Sequence, residues 1–194
     1  MAWIIGGPGS GKSTQSQKIA RQYGYVHIDP STLKKEVEFK ETNGKTLPEA
    51  MRKSGNQAPL HDILPMIEHK VYSGKNKGVV IDGYPGSLEE AGILERSIGR
   101  PDIVIALEVD EETSTRRSTA KQQSLRRPTL SEYVVASREV IQRYEDITAK
   151  VDSNQEPYRV FEVIKFNIDA LYMAEERLSR ARRSNSLGPQ QNIA

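Results

Sequence analysis

A glycine-rich run near the start of the chain has the residue types and spacing of a phosphate-binding loop. Residues 6–13 read Gly-Gly-Pro-Gly-Ser-Gly-Lys-Ser and fit the pattern G-x-x-x-x-G-K-S/T. Glycine allows the backbone to curl until successive N–H groups point at one anion. A helix that begins near Lys12 adds the positive end of its dipole. The run therefore predicts a site for the phosphates of a nucleotide.

Individual residues of this loop are predicted to have separate roles. Lys12 can reach the outer phosphates of the nucleotide, where it would act in catalysis, and the hydroxyl of Ser13 can bind Mg²⁺. The structural alternative, a glycine-rich turn with an exposed lysine, is disfavoured because the motif follows an apolar run and opens a helix. The residues predicted to bind the nucleotide are Gly7, Gly9, Ser10, Gly11, Lys12, Ser13 and Thr14.

A carboxylate at the end of another apolar run is the second candidate. Asp82 follows Val79-Val80-Ile81. In P-loop proteins a carboxylate at a strand end helps to hold Mg²⁺ near the phosphates. The alternative is an aspartate that only forms the turn before Gly83. We expect Asp82 to act in catalysis by holding Mg²⁺ together with Ser13.

The elements that must position these residues follow from the apolar patterning. Short apolar runs predict strands at residues 3–5, 26–28, 78–82, 103–107 and 147–151. Helical spacing predicts helices at residues 12–23, 87–97, 112–120, 130–145 and 157 to about 181, with 31–73 mostly helical but interrupted. Strands that alternate with helices indicate an α/β fold with a parallel sheet covered on both faces. Ligands bind such sheets at the carboxyl ends of the strands, where the glycine-rich loop and Asp82 both lie.

Composition excludes several other kinds of protein. The chain has 194 residues, of which 36% are hydrophobic, enough for one domain with a core. It has no cysteine, which excludes disulfides, thiolate zinc sites and cysteine nucleophiles. No apolar run approaches the ~18 residues of a membrane helix. With no signal peptide recognisable, we expect a cytoplasmic protein without a membrane partner.

The charge balance argues against a nucleic-acid partner. The net charge is +2, and residues 175–194 carry four arginines and two glutamates, which accounts for the whole excess. The remainder is neutral, so the domain has no basic footprint for DNA or RNA. Small nucleotides are the expected partners. The basic tail is either a frayed helix end or a docking point for a protein, and residues 184–194 are expected to be a flexible polar tail.

Several stretches, taken in order, resemble the adenylate kinases and UMP–CMP kinases. The loop at 6–12 is close to their phosphate loop, and 23–28 resembles their second strand. Residues 80–85, Val-Ile-Asp-Gly-Tyr-Pro, are similar to their I-D-G-Y/F-P signature, and 140–145 and 160–171 resemble their last helices. The resemblance spans about residues 2–175.

This resemblance implies a P-loop NTPase fold with five parallel strands and helices on both faces. It implies a nucleoside-monophosphate-kinase-like domain over 1–183, with an acceptor-binding arm near 29–60 and a lid near 116–130. The implied reaction is reversible transfer of the γ-phosphate of Mg·ATP to a nucleoside monophosphate.

The resemblance also implies an acceptor site, in which the chain departs from the family pattern. Gly83, Tyr84 and Pro85 match the family's acceptor segment, and Lys35 replaces its phosphate-binding arginine. Lysine keeps the charge but loses the planar fork of donors.

Three further acceptor positions are altered. Pro30 replaces a threonine, Gly86 replaces an arginine, and Glu90 replaces the family's adenine-reading glutamine. The lost contacts predict weak turnover or a changed acceptor, because removing one transition-state donor commonly costs ~10²–10³ in rate.

The lid can be aligned in two ways. Arg117 matches the family's first lid arginine, a catalytic position, and Lys121 matches the next cation, which binds the nucleotide. A shortened lid would place Arg126 and Arg127 at shifted positions, whereas an alignment without a gap would use Arg127 and Arg138. The shortened lid is favoured because it keeps the register of the following helix.

Two functions are consistent with these residues. The first is an adenylate-kinase-like phosphotransferase for an AMP-like acceptor, with weak activity. The second is a catalytically inactive ATP-binding module that keeps the kinase fold for regulation or scaffolding.

Overall fold

A computed structural model describes residues 1–30, 32–33, 60–74, 77–119 and 129–186. These residues form a five-stranded parallel sheet in the order β2-β3-β1-β4-β5. The strands are β1 (Ala2–Gly6), β2 (Val26–Ile28), β3 (Val79–Asp82), β4 (Ile103–Glu108) and β5 (Thr148–Asp152). The α/β class and the five parallel strands confirm the fold that the sequence predicts.

Six α-helices occur within the described ranges. They are α1 (Lys12–Tyr23), α2 (Leu60–Tyr72), α3 (Leu88–Ile98), α4 (Glu111–Thr119), α5 (Leu130–Arg143) and α6 (Pro157–Ser186). None of the described helices is long and apolar enough to cross a membrane.

Two helix ends differ from the sequence prediction. Helix α5 ends at Arg143, two residues early, because a 3₁₀ turn at Glu145–Ile147 leads into β5. Helix α6 continues to Ser186, past the predicted end near Ala181, in a stretch without glycine or proline that also carries an i, i+4 ion pair between Glu176 and Arg180. The first three residues of the predicted tail, 184–186, are therefore helical, and the rest of it lies outside the described residues.

The core lies on both faces of the sheet. One face packs against α2, α3 and α5 and buries Trp3 completely, with its ring edge-on to Tyr144 at 5.3 Å between centroids. The other face packs against α1 and α6 through residues such as Ile19 and Ile164. Parallel strands covered on both faces read as continuous apolar runs, which is why the strands are visible in the sequence.

Candidate functional site

The glycine-rich loop connects β1 to α1 at the carboxyl edge of the sheet. Gly9 and Gly11 have φ of 72° and 86°, in the left-handed region that favours glycine. Gly11 caps α1 without a side-chain hydrogen bond, and the first turn of α1 has no acidic residue. The first N–H groups of α1 and the positive end of its dipole are therefore available to an anion.

Lys12 lies between the ends of two strands. Its Nζ donates to the carbonyl oxygens of Gly6 and Gly7, the latter at 3.0 Å. A carbon atom added at Gly83, just past β3, would lie 3.6 Å from Lys12 Cε. The ammonium thus lies between the phosphate loop and the acceptor segment predicted from the sequence.

Asp82 ends β3 beside the phosphate loop. It pairs with Ile4 in the sheet, and the N–H of Gly83 donates to the Ile4 carbonyl at 2.8 Å. The carboxylate is 6% exposed, and His27 Nε2 lies 3.3 Å from its Oδ2. Ser13 is exposed at the start of α1, and no described hydrogen bond joins it directly to Asp82.

Arg117 fastens α4 to the phosphate loop. Its guanidinium donates to the carbonyls of Gly9 at 3.3 Å and Ser153 at 2.8 Å, with a further contact to Gln155 at 3.3 Å. One turn earlier, Ser114 Oγ donates to the Pro8 carbonyl at 2.8 Å. The loop is therefore held on one side by two residues of the same helix face.

The acceptor segment is held by burial and by the start of α3. Tyr84 is 1% exposed and precedes a cis peptide bond to Pro85, and burial raises the pKa of its phenol. The N–H of Gly86 donates to the Glu90 carboxylate at 2.7 Å. Burial raises the pKa of Glu90, and this hydrogen bond only partly opposes the rise.

Sequence comparison decides the family of this fold and site. The family model for adenylate kinase matches residues 4–149, which run from β1 into β5. The chain belongs to the adenylate kinase family. It is 34% identical over 183 residues to adenylate kinase isoenzyme 1 of Homo sapiens, covering 87% of this chain and 94% of that protein. It is 32% identical over 185 residues to adenylate kinase isoenzyme 1 of Cyprinus carpio, covering 88% and 95%.

Several site residues predicted for this adenylate kinase family member lie outside the described residues. They are Lys35 in the arm and Lys121, Arg126 and Arg127 in the lid. Arg138 is described and lies more than two turns after Leu130 on α5. It lines a cavity between α5 and strands β4 and β5.

Tyr133 lies beside Lys12 at the site, although the sequence analysis does not predict it as a site residue. Its ring centroid lies 6.0 Å from Lys12 Nζ, and burial raises the pKa of its hydroxyl. A carbon atom added at Gly7 would lie 3.3 Å from the Tyr133 ring and 2.5 Å from Leu130 Cδ1. The sequence signal was only its register on α5 in the family pattern, which does not reveal contact with the loop.

Ser114 and Ser153 were missed as well. A serine on a polar helix gives no signal of its own, although Ser114 lies three residues before Arg117 and shares its face. Ser153 is 1% exposed and donates through Oγ to the Glu108 carbonyl at 2.6 Å. This bond holds the loop after β5 in place, and the carbonyl oxygens of that loop accept hydrogen bonds from Arg117.

Proposed function

We propose that this chain transfers the γ-phosphate of Mg·ATP to a nucleoside monophosphate, with an AMP-like acceptor. An oxygen of the acceptor phosphate attacks the γ-phosphorus, and ADP leaves. The observation that carries the proposal is the position of Lys12. It lies between the phosphate loop, where no side chain caps α1, and the acceptor segment that begins at Gly83. Phosphoryl transfer depends on positioning and on neutralised charge, which this arrangement supplies.

The donor side of the proposed site is the more completely built. Backbone N–H groups of Gly9, Ser10 and Gly11, with Ser13 and Thr14 at the start of α1, would cradle the phosphates of ATP. Lys12 would turn from the loop carbonyls that it now contacts to the γ-phosphate. Arg117, held at the edge of the loop, would add positive charge beside the nucleotide.

The residues present fit Mg²⁺ at the same edge. Ser13 offers an exposed hydroxyl, and Asp82 offers a carboxylate that is almost completely buried. Within the described ranges, no three His, Asp or Glu side chains form a metal cage. That is consistent with Mg²⁺, which keeps several waters and takes its other ligands from phosphates. When bound, the ion would neutralise charge on the transferring phosphate.

A second candidate function is an ATP-binding module without turnover, and one feature favours it. The acceptor segment 83–86 carries no cation, and the nearby carboxylate of Glu90 occupies the N–H of Gly86. An acceptor phosphate therefore meets less positive charge here than the family pattern provides.

Turnover separates the two candidates. The protein would be incubated with Mg·ATP and, in turn, AMP, dAMP, GMP, UMP and CMP, and the nucleotides separated by ion exchange. Calorimetry would measure ATP binding in parallel. The phosphotransferase predicts a diphosphate product from AMP or dAMP. Binding of ATP without a product from any acceptor would establish the module, and failure to bind ATP would overturn both.

A further inference from the structure

A cavity on the sheet face opposite α1 is not used by the proposed reaction. It has a volume of about 340 Å³ and lies between α5 and the carboxyl halves of β4 and β5. This volume falls in the usual range for small-molecule sites. The acceptor segment follows β3, which lies on the other side of β1 from β4, so the cavity is separate from it.

The walls of the cavity are mainly apolar and belong to rigid elements. Helix α5 supplies Leu130, Val134 and Ile141, which share one face at i, i+4 and i+11 spacing. The floor is formed by Ala106 and Leu107 of β4, which are each 3% exposed. Val134 is 47% exposed at the mouth, so apolar surface faces the open space.

The rim of the cavity carries an excess of positive charge. Arg138 extends from α5 and Lys150 from β5, so the two cations approach from opposite walls. Among the residues that the structure describes, neither side chain makes an ion pair or a hydrogen bond. Among the described residues that line the cavity, Glu108 is the one carboxylate. The lining therefore has one uncompensated positive charge beside an apolar chamber.

We propose that this cavity binds a small amphiphilic monoanion, an apolar body with one carboxylate or sulfonate group. The body would lie against Leu130, Val134 and Ile141, and the anionic group would lie between Arg138 and Lys150. The charge complementarity selects an anion over a neutral molecule, since each cation would gain a charge-assisted hydrogen bond that none of the described residues gives it.

The cavity also touches the phosphate loop at one point. Gly7 contributes to its lining, as does Tyr133, whose ring lies near Lys12. The phosphates of ATP would lie at the start of α1, toward the other face of the sheet. The bound monoanion and ATP therefore occupy separate places, and both bind at once.

The test uses octanoate as the probe, with octan-1-ol as its uncharged match. Calorimetry on the full chain would measure binding, and ¹H–¹⁵N NMR shifts would report where the probe lies. We expect one saturable octanoate site with shifts in α5, β4 and β5. Arg138→Gln and Lys150→Gln should each weaken octanoate binding about ten- to a hundredfold, the net effect of one hydrogen bond to a charged group. Octan-1-ol should bind more weakly than octanoate, and its affinity should be the same for both variants as for the parent protein.

Matched variants locate the site. Val134→Trp fills the mouth of the cavity and should abolish octanoate binding. Val135→Trp adds the same ring at the next position, which is 69% exposed and does not line the cavity, and should leave binding unchanged. Arg21→Gln removes an exposed positive charge from α1 and should also leave it unchanged.

Three results would overturn the proposal. Absence of saturable binding would show that the cavity takes no such ligand. Equal affinity for octanol and octanoate, insensitive to Arg138→Gln and Lys150→Gln, would show that the rim charge selects nothing. Competitive displacement of octanoate by ATP would show that the probe had entered the nucleotide site instead.

Discussion

The backbone of Gly9 in the phosphate loop lies directly against the backbone of Ser114 in α4. A carbon atom added at Gly9 would be 2.8 Å from the Ser114 carbonyl oxygen and 3.0 Å from its Cα, closer than such contacts normally are. Gly11 has the same left-handed conformation, but no atom of the described residues lies within 4 Å of a carbon atom added there. A side chain would therefore meet only backbone strain at Gly11, but both strain and a steric clash at Gly9.

Alanine at these two positions should therefore differ in its effect on stability. Gly11→Ala is expected to cost about 1–2 kcal/mol for the left-handed conformation alone. Gly9→Ala adds the clash with Ser114 and should lower the free energy of unfolding by at least about 1 kcal/mol more. Urea denaturation would measure both variants. Equal losses would contradict the contact between the loop and α4.

Arg117 should stabilise the nucleotide loop through the shape of its side chain as well as its charge. Arg117→Lys keeps the charge but cannot donate to the Gly9 and Ser153 carbonyls together. We expect a loss of about 1–2 kcal/mol in the free energy of unfolding, together with weaker ATP binding. Arg21→Lys, at an exposed position in the last turn of α1, is the control and should change neither quantity. Equal behaviour of the two variants would refute the role of Arg117.

Tyr144 joins α5 to α3 beneath the sheet. Its hydroxyl donates to Glu95 Oε2 at 2.6 Å, and burial, with Glu95 adding to it, raises the pKa of Tyr144 to about 12. Tyr144→Phe leaves the partly buried Glu95 carboxylate without this donor and should cost about 1–2 kcal/mol. At roughly 2–4 °C per kcal/mol for a chain of this size, calorimetry would resolve the lower Tm. Tyr158→Phe, at a side chain 67% exposed, should leave Tm unchanged.

Glu90 should make the folded state sensitive to pH. Burial raises its pKa above the unfolded value, so the folded protein binds this proton more tightly. Protonated Glu90 therefore adds to the free energy of unfolding. This contribution is fully present below the ordinary glutamate pKa of about 4.3 and is lost as pH rises through the pKa of Glu90 in the folded protein. Glu90→Gln places a neutral side chain at this position, so the stability no longer falls with rising pH, and the amide oxygen can still accept the hydrogen bond from the Gly86 N–H.

The Glu90→Gln variant is therefore expected to have a higher Tm than the parent at pH 7 and the same Tm near pH 3.5. Glu139→Gln is the control, because Glu139 is exposed on α5. Glu89 is unsuitable as a control, because its own charge adds to the rise in the pKa of Glu90. A difference in Tm between Glu90→Gln and the parent that does not change between the two pH values would contradict the account of Glu90.

The sequence was sufficient for the strands and for the phosphate loop. Strands such as 103–107 are buried on both faces, so their apolar runs stand out from the polar helices. The loop is equally visible because its function requires glycines at fixed spacing before Lys12. Asp82 was predictable for a related reason, since parallel strands end at one edge of the sheet.

Contacts between separate segments could not be predicted in the same way. The guanidinium of Arg117 reaches the Ser153 carbonyl, 36 residues away, and a backbone carbonyl leaves no trace in the sequence. The cavity beside Arg138 depends on how far α5 stands from β4 and β5, which periodicity does not encode. The end of α6 was misjudged because a polar helix that leaves the core loses its apolar stripe.

The central claim concerns Lys12 and the transfer of phosphate. Its most direct test is the rate at which label passes from γ-³²P ATP to AMP, measured for the parent protein and for Lys12→Ala purified in the same way. The account predicts labelled ADP from the parent and a rate lower by ~10²–10³ in the variant, with the variant still folded by circular dichroism. Equal rates in the two proteins, or no labelled ADP from a parent that binds ATP, would contradict it.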